Sequence, residues 1–320
     1  MSALVHERYG PPAEVLELRQ VETPPPGEGE VRVRVHAASV NPADWHLIRG
    51  EPFLVRLIAG VRAPKDPRAG GDFAGTVEAI GPGLSSFAVG DHVFGVAHGS
   101  FGELAVANAD RIAPKPERLT FEQAACLPIA GCTALQALCD HAQLDAGDRV
   151  LVIGAAGGVG SLAVQIAQAR GARVTGVCST PNIDFVRSLG ADVIDYTRDE
   201  PIGSYDVVLQ VAGDTSLRRL RSLLKPRGTL VLVGSGVGRD DSGGALGPLI
   251  RMATARLVSR GSGRRVRAFV AKIRRPDLDT LGVLVLPNVS RTYPLAETAA
   301  ALAEIESGHV RGKLAIAINR

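Results

Sequence analysis

The sequence predicts an α/β protein in two parts, a doubly wound parallel sheet with helices on both faces and a β-rich domain that precedes it. Three observations predict this. A β-branched run, Val150-Leu151-Val152-Ile153, leads into the glycine-rich turn Gly154-Ala155-Ala156-Gly157-Gly158-Val159-Gly160 and then into the helix-period segment 161–169. Strands and helices then alternate as far as Val233, the pattern of a parallel sheet covered on both faces. The first third alternates instead at period two with Gly/Pro punctuation, as the short strands of a bent, barrel-like sheet do.

The elements follow in chain order. Val31–Ala37 and Gly75–Ile80 read as half-buried strands, set off by Pro24-Pro25-Pro26-Gly27, Gly81-Pro82-Gly83 and Val89-Gly90-Asp91. Thr120 followed three residues later by Gln123 is a capping box, so a helix starts there. After it come a strand at Arg149–Ile153, a helix after Gly160, a strand at Arg173–Cys178, a helix through Phe185–Leu189 and a strand at Val193-Ile194. A strand at Val207–Leu209, a helix through Leu217–Leu224 and, past the turn Pro226-Arg227-Gly228, a strand at Thr229–Val233 complete the series. Leu246, Leu249, Ile250, Ala253 and Leu257 share one helical face. The tail returns to a helix, Leu295–Ser307, and a strand, Lys313–Ile318, that is expected to rejoin the first domain. The expected domains are therefore 1–122 with 272–320, and 123–271 inserted between them.

A chain of 320 residues has room for about two domains. Its 45% hydrophobic and 22% charged residues are those of an ordinary soluble protein, and a net charge of +3 points to neither nucleic acid nor membrane. A charge falls too early in the first ten residues for a signal core, and no apolar run approaches about 18 residues, so the cytoplasm is the expected location. Cys126, Cys132, Cys139 and Cys178 lack zinc-site spacing and are too few for a disulfide framework, so they read as reduced, buried thiols.

The turn in mid-chain carries the chemistry. A strand, a glycine-rich turn and a helix N-terminus in that order make a dinucleotide site. Gly157 and Gly158 let a pyrophosphate approach the backbone, Gly160 lets the helix pack on the strand, and Ala155 replaces the first glycine of G-x-G-x-x-G. Ala155, Ala156, Gly157, Gly158, Val159 and Gly160 are the expected cradle. About 20 residues on, an acidic residue would bind the ribose of NAD; this chain has Val177-Cys178-Ser179-Thr180. With no carboxylate to repel it, a 2′-phosphate meets the Ser179 and Thr180 hydroxyls, which predicts NADP(H). The plainer alternative makes both turn residues. Position 181 is Pro, and the nearest basic residues are Arg187 and Arg198.

Read together, Ala38–His46, Gly70–Val77, Val89–Gly95 and Leu127–Ala134 resemble the medium-chain dehydrogenase/reductase superfamily, in its zinc-independent quinone oxidoreductase branch with enone and enoyl reductases. Gly190–Tyr196 and Gly308–Lys313 extend the resemblance to the end of the chain. It implies a GroES-like β-rich catalytic domain and a Rossmann-type NADP(H) domain. Zinc members hold their metal with an early Cys, a Gly-His-Glu signature and a later Cys or acid. Here Asn41–Asp44, Gly71-Asp72-Phe73 and Ile129 stand in those places, so three ligands and an open position are not available in register and no zinc is expected.

Without a Lewis acid, hydride delivery to an acceptor that is already electron-poor, a quinone or an enone, is the expected chemistry, and the protein supplies orientation and a dry cleft. The resemblance places Asn41 and Asp44 near the nicotinamide; Asn41 before Pro42 is also an ordinary capping residue. His46, where related reductases often carry tyrosine, is a candidate proton donor or a structural histidine. Trp45 either stacks on an aromatic acceptor or is buried in the barrel. Tyr196, Gly234 and Ser235 follow strands of the nucleotide sheet, and Lys313 and Arg311 either reach a cofactor phosphate or are solvated. Two other classes stay open: a dinucleotide-binding protein with weak or lost catalysis, and an alcohol dehydrogenase.

Between Asp241 and Asp277 there is no acid and much arginine. With Phe269 its sole aromatic, this stretch reads as a solvated helix and strand edge rather than a nucleic-acid surface. Segment 281–289 is short against similar proteins, which leaves the second boundary open. Similar proteins commonly dimerise through the edge strand of the nucleotide sheet, here Arg265–Val270, so a homodimer is expected.

Overall fold

Strand Glu30–Ser39 shows how the first unit is built: Val31, Val33 and Val35 turn into the core, while Arg32 and Arg34 turn outward onto Glu78 of the neighbouring strand. This alternation is what a sheet with one covered face requires. In the computed structural model, which describes residues 1–23, 25–233 and 263–318, two units form: Met1–Cys132 with Ile273–Arg320, and Thr133–Lys272. The predicted two-domain α/β architecture holds.

In the first unit β1 (Ser2–Val5) and β2 (Glu17–Gln20) make a small antiparallel pair. The main sheet contains β3 (Glu30–Ser39), β4 (Asp72–Ile80), β5 (His92–Val96), β6 (Leu104–Asn108), β7 (Ile112–Pro114), β14 (Val289–Pro294) and β15 (Lys313–Ala317). Its order is β14-β15-β3-β4-β5-β7, with β6 on β3. The tail strand β15 pairs antiparallel with β3, Ile316 opposite Ala38, and so rejoins the N-terminal half. Helices α1 (Pro12–Val15), α2 (Pro42–Arg49), α3 (Leu54–Ala59), α4 (Phe121–Ala125) and α5 (Pro128–Gln136) also begin here. Phe73, Phe101, Ile48 and Ile112 are fully buried in its core.

The capping box at Thr120 forms as expected, with Gln123 N donating to Thr120 Oγ1 at 3.2 Å and Thr120 N to Gln123 Oε1 at 3.0 Å. Against an expected first boundary at 122/123, residues as far as Cys132 lie with the first unit, because α4 packs on β3 and β4. The later division falls at Lys272/Ile273.

Among the described residues the second unit is a six-stranded parallel sheet in the order β10-β9-β8-β11-β12-β13. Its strands are β8 (Arg149–Ile153), β9 (Arg173–Cys178), β10 (Asp192–Asp195), β11 (Tyr205–Gln210), β12 (Leu224–Leu232) and β13 (Arg265–Ala268). Helices α6 (Gly158–Ala169), α7 (Ile183–Ser188) and α8 (Leu217–Ser222) connect them. Two limits differ from expectation: α6 starts at Gly158, inside the glycine turn, and α8 stops at Ser222 because Leu224 pairs with Tyr205 as strand. Leu151, Val177, Val208 and Leu230 interlock at its centre. The sheet reverses its chain order between β8 and β11, and ligands bind open α/β sheets beyond the carboxyl ends of the strands at such a point.

Helices α9 (Arg275–Leu284) and α10 (Thr298–Glu306) belong to the first unit, and a four-residue link joins α9 to β14. Leu246, Leu249, Ile250, Ala253 and Leu257 lie outside the described residues, as do Gly234 and Ser235. All four cysteines are free; burial raises Cys126 to about 11 and Cys132 to about 12, so both are thiols at neutral pH. Among the described residues no helix is long and apolar enough to cross a membrane.

Candidate functional site

The glycine turn lies where β8 ends. Gly154 and Ala155 both donate to Val177 O, at 3.1 and 3.0 Å, which ties the turn to β9. A Cβ on Gly160 would lie 2.1 Å from Gly154 O, so only glycine lets α6 start this close to the strand. Ala155 is accommodated in place of the first glycine because Gly176 stands opposite: a Cβ there would come within 2.9 Å of Ala155 Cβ. Gly157 differs from both. A Cβ on it would meet no atom nearer than Gly154 O at 3.6 Å, so its bareness serves open space in front of the turn. The first bond inside α6 runs from Ser161 N to Gly157 O, 2.9 Å, leaving the N–H groups of Gly158, Val159 and Gly160 ahead of it. Ala155, Ala156 and Gly160 are buried, and Gly157, Gly158 and Val159 are partly exposed. Bare backbone, aligned N–H groups and the positive end of a 12-residue helix fit a dinucleotide pyrophosphate.

Next along the same sheet edge are the ends of β9 and β10. Asp195 pairs with Cys178 in parallel register, and Tyr196 N donates to Cys178 O at 3.1 Å, so the loops after the two strands leave the sheet together. Ser179 Oγ accepts from Asn182 Nδ2 at 3.1 Å, and Thr180 Oγ1 donates to Asp195 Oδ2 at 2.5 Å. Thr197 adds its N–H at 3.0 Å and its hydroxyl at 2.8 Å to Asp195 Oδ1. The Thr180 hydroxyl above all, with Thr197, holds the Asp195 carboxyl below its ordinary range. Tyr196 is 60% exposed beside them.

Asn41 and Asp44 belong to the first unit. Asn41 caps α2, and the Asp44 carboxylate returns to accept the Asn41 N–H at 2.7 Å. The Asn41 carboxamide bridges two charges: its Nδ2 donates to Asp72 Oδ2 at 2.9 Å, and its Oδ1 accepts from Lys313 Nζ at 2.5 Å. Lys313 also donates to Val40 O at 2.9 Å, and Asp72 Oδ1 accepts from Ile129 N, at the start of α5, at 3.1 Å. Asn41, Asp44, Asp72 and Lys313 are all buried. Burial first, then the neighbouring Asp72 charge, pushes Asp44 up to about 7. Burial likewise raises Asp72 to about 6 against the pull of Lys313. Two carboxylates and one ammonium thus share a buried site, where Asp44 titrates close to neutral pH.

The remaining residues are placed differently from one another. His46 Nδ1 lies 2.7 Å from Glu51 O; a carbonyl only accepts, so Nδ1 carries the proton and Nε2 the lone pair of the neutral ring. Burial lowers its pKa, which keeps it neutral at pH 7. Trp45 stacks on it at 4.0 Å and packs against the core. Lys313, anticipated at a cofactor phosphate or in solvent, is inside the first unit on Asn41; Arg311 is exposed. Asp72 as a partner of Asn41, and Asp195 as a partner of Thr180, escaped sequence reasoning. An acid closing a strand, Val193-Ile194-Asp195, was the available signal for the second.

Residues 27–117 match the family described as the alcohol dehydrogenase GroES-like domain, and residues 189–316 the one described as zinc-binding dehydrogenase. The chain is similar to the chloroplastic quinone-oxidoreductase QR1 of Triphysaria versicolor, 31% identical over 341 aligned positions that cover 99% of this chain and 98% of that one. It is 34% identical to the mitochondrial NAD(P)H oxidoreductase RTN4IP1 of Mus musculus, over 99% of this chain and 89% of that one. Among solved structures, the quinone oxidoreductase from Coxiella burnetii superposes with a TM-score of 0.83 at 32% identity, covering 100% of this chain and 99% of that one. Identity sustained along the whole length, on this pair of sheets and this glycine turn, means that the chain belongs to the medium-chain dehydrogenase/reductase superfamily, as an oxidoreductase of the quinone oxidoreductase type.

Proposed function

We propose that this protein is an NADP(H)-dependent reductase that delivers hydride to a quinone or to a carbon–carbon double bond conjugated to a carbonyl. The observation that carries this is the Asn41 junction. Its ammonium, carboxamide and carboxylates satisfy one another, so this part of the protein is equipped to orient groups and hold a proton rather than to ligate a metal. Both Asp72 oxygens are committed, to Asn41 and to Ile129 N, and the described residues contain no group of three His, Cys, Asp or Glu that could hold a metal ion. Zinc-independence is therefore part of the proposal, although one matching family is described as zinc-binding.

Bound NADPH would supply the hydride, and the acceptor then needs one proton to complete the reduction. Asp44, raised to about 7, is the group suited to keep that proton at neutral pH, and Asn41 is held rigid to orient the reacting partners. The pyrophosphate rests on the backbone of 155–160, Ser179 and Tyr196 serve the adenosine end, and Thr180 acts through Asp195. The names of the full-length relatives, quinone oxidoreductases and an NAD(P)H oxidoreductase, support the acceptor and cofactor classes. A homodimer through β13, the last strand in the sheet order among the described residues, and a cytoplasmic location complete the proposal. NADPH oxidation by the purified protein with benzoquinones, naphthoquinones, enones and enoyl thioesters tests it. Turnover with at least one acceptor supports it, and tight NADPH binding without turnover on any would favour a non-catalytic binding protein.

A further inference from the structure

A 2′-phosphate needs a cation, and the turn after β9 provides none: Pro181 and Asn182 follow Ser179 and Thr180. The neighbouring loop does. We propose that Arg198, presented from the loop after β10, recognises the 2′-phosphate of NADP(H), and that Asp195 is its positioning residue. This rests on the NADP(H) reading above and names the residue that produces the preference.

Three observations lead to it. Thr180 Oγ1 and Arg198 Nε converge on the same oxygen, Asp195 Oδ2, at 2.5 and 3.7 Å, so the guanidinium is held beside the end of β9, where the ribose of a dinucleotide lies. The Asp195 side chain is 6% exposed and that of Arg198 is 71% exposed: the anchor is buried, and the guanidinium, paired with it through Nε, is largely open to solvent. A planar guanidinium so presented suits bidentate contact with phosphate oxygens. Ser179 Oγ, which accepts from Asn182, keeps its own proton to donate to the same phosphate.

Asp195 itself does not read as the ribose-binding acid of an NAD site. Oδ1 is taken by Thr197 N and Oγ1, and Oδ2 by Thr180, so neither oxygen is open to a 2′-hydroxyl. Arg187, the other basic residue in the recess of about 570 Å³ on this side of β10, lies 3.6 Å from Asp184 of its own helix and is the natural control. The recess also contains Asp199 and Glu200, and Glu200 pairs with Arg219 at 3.0 Å.

The test is calorimetric binding of 2′,5′-ADP, 5′-AMP, NADPH and NADH to the full-length protein, which needs no acceptor and no turnover. Wild type is expected to prefer 2′,5′-ADP to 5′-AMP. In Arg198→Met, 2′,5′-ADP and NADPH weaken about ten- to a hundredfold while 5′-AMP and NADH stay within about twofold. Arg198→Lys retains part of the preference, Arg187→Met most of it, and Asp195→Asn loses several-fold of NADPH affinity alone. If wild type prefers the 2′-phosphate and Arg198→Met keeps that preference, the assignment of Arg198 is overturned while NADP(H) use stands. If wild type binds both members of each pair equally, NADP(H) selectivity fails and the assignment of Arg198 fails with it.

Discussion

Lys313 Nζ donates to Asn41 Oδ1 at 2.5 Å across 272 positions of sequence. The contact fixes which way the Asn41 carboxamide faces: with its oxygen on the ammonium, its nitrogen must turn to Asp72. The C-terminal strand thereby sets the geometry of a residue in the first quarter of the chain, and it supplies the positive charge that two buried carboxylates require.

Removing that charge is expected to be severe. Lys313→Met leaves Asp44 and Asp72 buried without a cation, and loss of one partner from such a cluster costs about 3–5 kcal/mol. Urea unfolding measures it. Lys313→Met with Asp72→Asn should regain most of the loss, and a single variant within about 0.5 kcal/mol of wild type would show that the ammonium does not compensate the carboxylates.

The pH dependence of stability has a defined sign. Asp44 titrates near the ordinary carboxyl value of 3.8 when unfolded and at about 7 when folded, so between those values the folded state holds the extra proton. Its contribution to stability is therefore full at low pH, falls as pH rises through that window and levels off above about 7. Asp72, raised to about 6, acts in the same direction over a narrower window. Asp44→Asn removes the first contribution, so its melting temperature relative to wild type should rise from about pH 5 to about pH 8. A difference that stays constant across that range contradicts a raised Asp44.

Two glycine variants separate packing from binding. Gly160→Ala forces a Cβ to 2.1 Å from Gly154 O and should unfold or badly destabilise the second unit. Gly157→Ala meets no atom nearer than 3.6 Å, so it should lose no more than about 1 kcal/mol as an altered N-cap yet weaken NADPH about tenfold or more. Calorimetry with a urea melt reads both effects. Unchanged NADPH affinity in Gly157→Ala would remove the pyrophosphate from this turn.

His46 donates from Nδ1 to Glu51 O and presents a lone pair at Nε2, so as a neutral ring it has no second proton to give. His46→Phe should therefore keep turnover within about threefold and lower thermal stability through the lost bond. A fall in turnover of a hundredfold or more is the signature of general acid catalysis and would make His46 the proton donor.

What could be read in advance follows the range of the interactions. The strand, glycine turn and α6 are local, and the compensation of Ala155 by Gly176 rests on a neighbouring strand that the same pattern placed. Asn41 was legible as a capping residue before Pro42, whereas the return bond from Asp44 was not anticipated. Asp72 and Lys313 were not recognisable as their partners, because only the β15–β3–β4 pairing brings the three segments together. Thr180 misleads in a related way. Its hydroxyl was expected to face a phosphate, yet the β9–β10 register puts Asp195 within its reach and makes it an anchor for Arg198.

Anaerobic stopped-flow of NADPH oxidation by protein dialysed against chelator, with a quinone and an enone as acceptors, tests a metal-free hydride transfer most directly. The expected result is turnover of at least one acceptor that is unchanged when zinc is returned. Turnover that appears only with added zinc, or bound NADPH that no acceptor oxidises, would contradict it.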